Sequence, residues 1–527
     1  MMFRKVQKLF LLSLFVLIAI IVREFFKLEF LRLVKLADFS QDQLTHDQLP
    51  LDRLTADRLS RSSSDRESFF TDWCRLQRSS VDWEVLSGSC HDKMAWTQRE
   101  SSSKNRTDPD KSFILKKEVK AQGEFSRFFI QSVTKSGQLK ETGGDSWRVH
   151  IRQGPASLTP IVVDHNDGTY EVLFLALEPG NYSVQAILDF TLCDGFRDPP
   201  EDWYIKGDIQ GHKQETGILG DIDHDFIEAP LQSGKPIKFY IKECNKTKGF
   251  FKYIQPFLSQ SSKESFSQSS CDFNCSLVWN GFGRWVNSIW KQYMPEEMQK
   301  AQYAEKRLKR KLDDLMFYGD STNVHFHSLA MRSQLCKKMF HTCGKKYMWT
   351  YDVSWKGSDD RDFNQTIVFE EIQKVLDSLN MTGNQSVFFF NVGIHYSLSL
   401  NFSAYQMLID SIIEILRRDT GTENEGALSS RALSIWRSNA AVEVERFKDC
   451  FPQVNYTEWR FFTNQRNQLF HTYATDAMCK AGIPVLDIYP LTTAWPEGTR
   501  DSMHYIDKPL EPAIRALERF LTEVSLR

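Results

Sequence analysis

A short apolar run that ends in a small polar turn constrains this chain more than any other stretch. Residues 315–317 are apolar and lead directly into Tyr318-Gly319-Asp320-Ser321-Thr322. The run predicts a buried strand, and a serine on the strand-to-helix turn that follows would project its oxygen outwards. Ser321 is therefore a candidate nucleophile, although an isolated Gly-Asp-Ser triplet is about as often a plain surface turn.

A serine hydroxyl needs a general base, a group that orients the base and donors for the oxyanion before it attacks a carbonyl. Asp501-Ser502-Met503-His504 supplies a carboxylate and an imidazole three residues apart. Asn391 follows the apolar run 387–390, and Gly393 is a weaker candidate donor beside it. Each piece alone is commonplace, and their order along the chain is what favours a catalytic interpretation.

The C-terminal half alternates helix-like stretches with short apolar runs. The helix-like stretches are 296–314, 405–418, 464–480 and 512–521. The apolar runs are 315–317, 347–353, 387–392, 432–436 and 483–488. Strands separated by helices predict an α/β domain with a parallel sheet, in which sites form at the carboxyl ends of the strands. Ser321 and Asn391 both fall at such ends.

Residues 126–188 carry a different pattern. Apolar residues alternate with polar ones in short runs, and turn signals such as Asp167-Gly168 and Pro179-Gly180 separate the runs. Short alternating strands with regular turns predict a β-sandwich.

The N-terminal apolar run indicates the compartment. Residues 9–22 are apolar apart from Ser13 and follow three basic residues, which is the pattern of a signal peptide or signal anchor. The run continues into Arg23-Glu24-Phe25-Phe26 without a small-residue cleavage site. We therefore favour an uncleaved anchor over residues 9–30, which would hold the protein in the membrane with residues 1–8 as a short cytosolic tail.

Cysteine and sequon content favour the same secretory route. Ten cysteines, an even number, fit an oxidising lumen, and the chain has nine Asn-x-Ser/Thr sequons. The sequons are Asn105, Asn181, Asn245, Asn274, Asn364, Asn380, Asn384, Asn401 and Asn455. We expect a single-pass type II glycoprotein of the Golgi or endoplasmic reticulum, or a secreted one. No zinc-type spacing is repeated, so no metal is predicted, and 66 Lys and Arg against 68 Asp and Glu do not favour nucleic acid.

The expected order of domains follows from these patterns. After the anchor, an Asp-x-Leu unit recurs every five residues over 42–59, which matches neither helix nor strand. We predict a flexible stem over 31–110, a β-sandwich with a Cys-rich extension over 111–276 and the α/β domain over 277–527. Cys193, Cys244, Cys271 and Cys275 are expected to fasten the extension to the sandwich.

A sandwich followed by a Gly-Asp-Ser domain resembles the neurexophilin and PC-esterase domain family. The sandwich part is similar to an immunoglobulin-like repeat of the filamin sort, notably in Gly143-Gly144-Asp145, Asp167-Gly168-Thr169-Tyr170 and Gly180-Asn181-Tyr182. The C-terminal part is similar to the GDSL/SGNH-type PC-esterase domains of plant cell-wall O-acetyltransferases and of the sialate O-acetyltransferase.

This resemblance implies roles for individual residues. Ser321 would be the nucleophile, His504 the general base and Asp501 the residue that orients it, with Asn391 and Gly357 as oxyanion donors. The implied activity is O-acetyl transfer to glycans, with sialic acids of glycoproteins as the leading acceptor. Acetyl-CoA would be the acyl donor, and no cofactor would be bound.

Two alternatives stay open at this point. If water reaches the acyl-enzyme first, the same site is a glycan O-acetyl esterase. If the sandwich carries the function, the chain is a non-catalytic, neurexophilin-like ligand with a neurexin-like protein partner. One departure bears on the choice, because Asn323 stands where related Gly-Asp-Ser segments often carry arginine.

Overall fold

The computed structural model describes residues 53–96, 103–199, 226–245, 248–254, 271, 275–279, 281–294, 311–353, 363–378, 385–417, 432–450 and 461–524. The predicted anchor, Gly357 and the sequons Asn274, Asn380, Asn384 and Asn455 lie outside these residues. None of the helices in the described part combines the length and the apolar character that a membrane crossing requires. The chain divides into two units, Met1–Ser64 and Asp65–Arg527, and the second holds the domains described below.

The first described helix corrects the prediction of a flexible stem over 31–110. Helix α1 spans Arg53–Arg78 and is followed by the short helix α2, Trp83–Ser87. Phe69 and Trp73 lie one turn apart on α1 and are both buried. The Phe69 ring lies 5.3 Å from that of Phe125. The residues after Asp65 are therefore part of a core, because this apolar face has a sheet to cover.

Antiparallel strands form the predicted β-sandwich, with sheets in the orders β1-β2-β6-β5 and β11-β10-β4-β3-β7-β8, and β9 beside β7. The strands are β1 Phe113–Glu118, β2 Phe125–Gln131, β3 Ser146–Gln153, β4 Ser157–Leu158, β5 Ile161–Asp164, β6 Thr169–Leu175, β7 Gly180–Phe190, β8 Ala229–Pro230, β9 Ile237–Ile241, β10 Gly283–Val286 and β11 Ile289–Gln292. The short helix α3, Gly249–Tyr253, follows β9.

The core of the sandwich lies between the two sheets. Alternate residues of β2 and β3, such as Phe128 and Trp147, bury their side chains in one cluster. Strand β10 pairs with β4, with Arg284 opposite Leu158. The sandwich therefore reaches past the predicted boundary at residue 276 and takes its last hairpin from the segment assigned to the α/β domain.

Five parallel strands form the predicted sheet of the C-terminal domain, in the order β13-β12-β14-β15-β16. They are β12 Leu312–Gly319, β13 Phe340–Tyr347, β14 Val387–Phe390, β15 Leu433–Arg437 and β16 Val485–Leu486. Counted along the chain, the order is 2-1-3-4-5, a doubly wound arrangement. The prediction of a strand over 347–353 is wrong. The strand precedes it and lies at the sheet edge, where polar residues such as His341 hide it from an apolar pattern.

Helices cover both faces of this sheet. They are α4 Ser321–Arg332, α5 Gln365–Leu376, α6 Ile394–Ser399, α7 Phe402–Arg417, α8 Phe447–Cys450, α9 Asn464–Lys480, α10 Tyr489–Thr493 and α11 Glu511–Val524. Phe388 and Phe390 pack in a cluster with α7 and α9, whereas Phe389 packs in a cluster with α4 and α11. A strand buried on both faces explains the uninterrupted apolar run 387–390.

Four disulfides lie within the described part of the chain: Cys74–Cys271, Cys90–Cys193, Cys275–Cys479 and Cys336–Cys343. Cys193 and Cys271 bond to the N-terminal helical segment and Cys275 bonds to α9, so the expectation that they fasten the extension to the sandwich is wrong. Cys244 and Cys450 carry free thiols.

Candidate active site

The Gly-Asp-Ser segment forms the strand-to-helix turn that the sequence predicts. Strand β12 ends at Gly319, whose φ is +147°, and a Cβ there would lie 2.6 Å from the Asn391 carbonyl oxygen, so glycine is required. Asp320 caps helix α4 by accepting a hydrogen bond from the Thr322 backbone nitrogen at 2.9 Å. Ser321 is the first residue of α4, where backbone N–H groups have no acceptor within the helix.

The three predicted catalytic side chains come together in one hydrogen-bonded chain. Ser321 Oγ lies 2.7 Å from His504 Nε2, across 183 residues of sequence. His504 Nδ1 lies 2.9 Å from each carboxylate oxygen of Asp501. The backbone nitrogen of His504 also donates to Asp501 Oδ1 at 3.0 Å. This order of nucleophile, imidazole and carboxylate is the arrangement that activates a serine hydroxyl.

The electrostatics of the pair favour a charged carboxylate. Burial raises the pKa of Asp501, but the hydrogen bond from His504 and the charge of that ring outweigh burial and hold the pKa below its ordinary value. A carboxylate that stays ionised can stabilise the imidazolium that forms when His504 takes a proton.

Of the two predicted oxyanion donors, only Asn391 lies within the described residues, and its side chain is engaged in other hydrogen bonds. Asn391 lies at the end of β14, and its backbone nitrogen donates to the Tyr318 carbonyl at 3.0 Å. Its side-chain amide donates to the Arg437 carbonyl at 2.8 Å and to Asn439 Oδ1 at 3.0 Å. In this arrangement the amide fastens the loop after β15 to the end of β14. A role at the oxyanion remains a prediction for Asn391, and Gly357 is outside the described residues.

The sequence did not single out Arg437, which is fully buried behind the nucleophile turn. Its guanidinium donates to Thr322 Oγ1 at 2.7 Å and to Asn323 Oδ1 at 3.1 Å. Burial lowers the pKa of Arg437 to about 10, and the negative charge of Asp320 opposes that shift. Arginine is thus next to Asn323 after all, supplied by strand β15. An arginine directly after an apolar run was the only signal for it.

Two aromatic rings lie beside the nucleophile strand, Trp349 on the loop after β13 and His395 in the first turn of α6. Trp349 and His395 stack with ring centroids 4.5 Å apart. The backbone nitrogen of Met348 donates to the Gly319 carbonyl at 2.8 Å, which holds the Trp349 loop against the end of β12. Because β13, β12 and β14 are parallel neighbours, this stack lies at the same edge of the sheet as Ser321.

The two histidines that follow the nucleophile point to different surroundings. The His325 ring lies 5.0 Å from that of His504. Burial, together with the charges of His504 and Arg500, lowers the pKa of His325. His327 instead packs its ring against Phe317. His325 is therefore a second imidazole at the candidate site, whereas His327 lies against the sheet.

A second cluster of titratable groups lies between the sandwich and the α/β domain. In the described part of the chain, His150, Glu443 and Glu445 bring potential metal-ligand atoms within 4.8 Å of one another. Arg148 pairs with Glu445, and Arg152 pairs with Glu443. Guanidinium groups already neutralise both carboxylates, so this cluster is an ion-pair network between the two domains and not a cation site.

The described sequons are accessible to different degrees. Asn105, Asn181, Asn245 and Asn364 are exposed, and Asn401 is partly buried.

Comparison with known proteins identifies the sandwich. Residues 106–189 match the Filamin/ABP280 repeat. The chain therefore contains a filamin-type, immunoglobulin-like repeat. No match to a PC-esterase or neurexophilin family was found.

Three solved structures each match a small share of the chain. The Lin-41 filamin domain is 15% identical, covers 16% of this chain and 83% of its own, and has a TM-score of 0.14. Invasin, a bacterial integrin-binding protein, is 19% identical over 16% of this chain and 17% of its own, with a TM-score of 0.14. Domains 4 and 5 of the S-layer protein SbsC are 15% identical over 15% of this chain and 43% of their own, with a TM-score of 0.12.

Proposed function

We propose that this protein is a glycan O-acetyltransferase that works through an acyl-enzyme on Ser321. The observation that carries the proposal is the hydrogen-bonded chain Ser321–His504–Asp501. It stands at the carboxyl edge of a parallel sheet, next to the position where the strand order reverses, which is where α/β proteins form their sites. The 2-1-3-4-5 order and the Gly-Asp-Ser turn also support an SGNH-type domain of the PC-esterase sort.

In the first half-reaction, His504 Nε2 takes the proton of Ser321 as Oγ attacks the acetyl carbonyl of a thioester such as acetyl-CoA. General-base assistance of this kind contributes roughly 10²–10⁴-fold. The backbone N–H of Ser321, at the N-terminus of α4, faces the developing oxyanion, and a well-placed donor is worth about 3 kcal/mol. Collapse of the tetrahedral intermediate breaks the carbon–sulfur bond, and His504 returns the proton to the leaving thiolate.

In the second half-reaction, a sugar hydroxyl gives its proton to His504 and attacks the acetyl-serine ester. Collapse breaks the bond to Ser321 Oγ, which recovers the proton, and leaves an O-acetylated sugar. Attack by water instead would make the site a glycan O-acetyl esterase. The two outcomes differ in how the site excludes water and positions the acceptor.

Trp349 stacks on the buried His395 ring and is itself only partly buried, which supports a sugar acceptor because the apolar face of a pyranose ring stacks on aromatic side chains. We propose sialic acids of glycoproteins as the leading acceptor. Four disulfides in the described residues and exposed sequons support residence in the oxidising lumen of the endoplasmic reticulum or Golgi.

A fluorophosphonate probe on the purified protein tests the nucleophile. We expect labelling of the unmodified protein and none of S321A, while S328A, which changes an exposed serine on the same helix, labels normally. Absence of labelling in the unmodified protein would favour the neurexophilin-like ligand.

A paired assay tests the reaction. Acetyl-CoA with sialosides should yield O-acetylated sialosides and free CoA. Release of acetate from O-acetylated sialosides without any transfer would replace the transferase with the esterase.

A further inference from the structure

We infer that the filamin-type sandwich positions the Asp501–His504 pair, through a buried ionic link from Arg152 on β3 to Glu443. The inference rests on the proposed function for its catalytic meaning. Arg152 and Glu443 belong to different domains, so the link makes the sandwich part of the machinery that supports the site. Neither residue contacts the reacting atoms, and both are positioning residues.

The link begins with a short ion pair. Arg152 Nη1 lies 2.5 Å from Glu443 Oε1, and the Glu443 side chain is only 2% exposed. Burial raises the pKa of Glu443, but the charge of Arg152, the Thr499 amide and Arg446 outweigh burial and lower the pKa below its ordinary value. The carboxylate therefore stays charged. Hydrogen bonds to a charged acceptor are stronger than those to a neutral one, so Glu443 can hold its donors in fixed positions.

Glu443 also forms hydrogen bonds to the loop that carries Asp501 and His504. Its second carboxylate oxygen accepts a hydrogen bond from the Thr499 backbone nitrogen at 2.9 Å. Its own backbone nitrogen donates to the Ser502 carbonyl at 2.7 Å. Ser502 lies between Asp501 and His504 in the sequence, so one residue fixes the catalytic turn through both its side chain and its main chain.

Arg446 and Gly498 also fix the position of Glu443 relative to this loop. Arg446 Nε lies 2.8 Å from Glu443 Oε2, and its guanidinium donates to the carbonyls of Thr499 and Glu497. Gly498 has a φ of +68°, and a Cβ there would lie 2.1 Å from Glu443 Oε2. The loop thus needs glycine at 498 because the carboxylate occupies the space that a side chain would take.

The turn from Asp501 to His504 contains a strained backbone conformation, which these contacts stabilise. Ser502 has a φ of +89° and is completely buried. Non-glycine residues adopt such backbone angles only where their surroundings enforce them. The Ser502 nitrogen donates to Thr499 Oγ1 at 3.2 Å, and the Arg500 nitrogen donates to the His504 carbonyl at 2.9 Å. The strain and its supports lie in the same few residues.

The sandwich also holds the segment that enters this loop. Ser157 Oγ donates to the Ala494 carbonyl at 2.6 Å, and Thr159 Oγ1 donates to the Pro490 carbonyl at 2.9 Å. Trp285 Nε1 donates to the Leu491 carbonyl at 3.0 Å. These hydrogen bonds hold helix α10 against β4 and β10. The segment that leads into the Thr499–His504 loop is therefore fixed to the same sheet that carries Arg152.

The test compares R152M with R152K and with R284M. Arg284, on β10 of the same sheet as Arg152, forms a largely buried ion pair with Glu178 in the turn between β6 and β7, with 2.8 Å between Nη2 and Oε1, and is the matched control. In R152M we expect amide hydrogen exchange at Thr499 and Ser502 to quicken at least tenfold. We also expect kcat and the labelling rate of Ser321 to fall at least tenfold with the KM for the acceptor unchanged. R152K should recover most of the loss, and R284M should change neither quantity by more than twofold.

A second comparison separates positioning from general instability. In a D501N background the pair can no longer work, so R152M should lower Ser321 labelling little further, whereas independent effects would multiply. If R152M does not fold, E443Q, which keeps an acceptor for Thr499 but weakens the ion pair, takes its place. Unchanged exchange at Thr499 and Ser502 in a folded variant, or multiplying effects with D501N, overturns the inference. Failure of the unmodified protein to label would instead overturn the proposed function, and the exchange rates would still decide the mechanical link.

Discussion

The guanidinium of Arg437 donates to Thr322 Oγ1 across 2.7 Å, immediately behind the candidate nucleophile. It also donates to Asn323 Oδ1 and lies close enough to Asp320 for their charges to interact. A fully buried cation therefore organises the first turn of α4. The geometry of Ser321 therefore depends on hydrogen bonds from a fully buried guanidinium.

Replacement of Arg437 by methionine should destabilise the protein by roughly 3 kcal/mol, because removing the buried guanidinium leaves Thr322 Oγ1 and Asn323 Oδ1 without their donor. Chemical unfolding measures the loss, and fluorophosphonate labelling of the remaining folded protein should be slower. R332M is the control, since Arg332 lies on the same helix in an exposed ion pair with Asp507 and should cost less than about 1 kcal/mol. Equal losses in the two variants would contradict this account.

Replacement of Ser502 by glycine should stabilise the protein by about 1 kcal/mol, because glycine adopts a φ of +89° without steric cost. Thermal or chemical unfolding measures the gain. S502A removes the same buried hydroxyl, which has no hydrogen-bond partner in the described part of the chain, but keeps the Cβ, so the extra stability of S502G over S502A measures the backbone strain. A glycine variant less stable than the alanine variant would mean that the backbone of this turn is not strained.

Replacement of Trp349 by alanine should raise the KM for a glycan acceptor by up to about tenfold, the amount that one aromatic contact contributes. Labelling of Ser321 by a small fluorophosphonate should stay within twofold, because the probe does not need the stacking surface. W349F keeps an aromatic ring against His395 and should recover most of the affinity. An unchanged KM in W349A would remove the stack from the acceptor site.

His471 should make the protein less stable in acid. Burial lowers the pKa of His471 to about 4, and the charge of Asp487 only partly opposes burial. The unfolded chain titrates near 6.5, so it binds more protons than the native protein between pH 6.5 and 4, and stability falls as the pH falls through that window. The contribution is about 3 kcal/mol.

Urea unfolding between pH 4 and 7 measures this effect, and H471Q should flatten the curve over that range. The exposed His341 supplies the control, since H341Q should leave the slope as it is. An unchanged slope in H471Q would show that other groups set the acid sensitivity.

Local sequence pattern predicted the parts of the site that lie on short, self-contained segments. The strand-to-helix turn at Ser321 and the Asp501–His504 turn are each defined within a few residues, by an apolar run and by three-residue spacing. The strands at 387–390 and 433–437 were also predictable, because they are buried on both faces.

Contacts between distant segments could not be predicted in the same way. An arginine at the end of a strand, such as Arg437, has the same sequence signature whether it meets water or a buried turn. The ion pair of Arg152 with Glu443 joins two domains, and the sequence near either residue carries no signal that predicts the other as its partner. The edge strand β13 was misplaced because exposure allows polar side chains, and α1 was missed because the repeat of period five at 42–59 runs into its first residues.

The last hairpin of the sandwich pairs with the much earlier strand β4, and the Cys275–Cys479 bond joins residues 204 apart in the sequence. During synthesis, the edge of β4 is exposed well before β10 arrives to cover it. Cys275 likewise waits for a partner that is among the last segments translated. The nascent sandwich would thus be incomplete until β10 is made. A chain stopped near residue 276 would expose the unpaired edge of β4, which can pair with other chains.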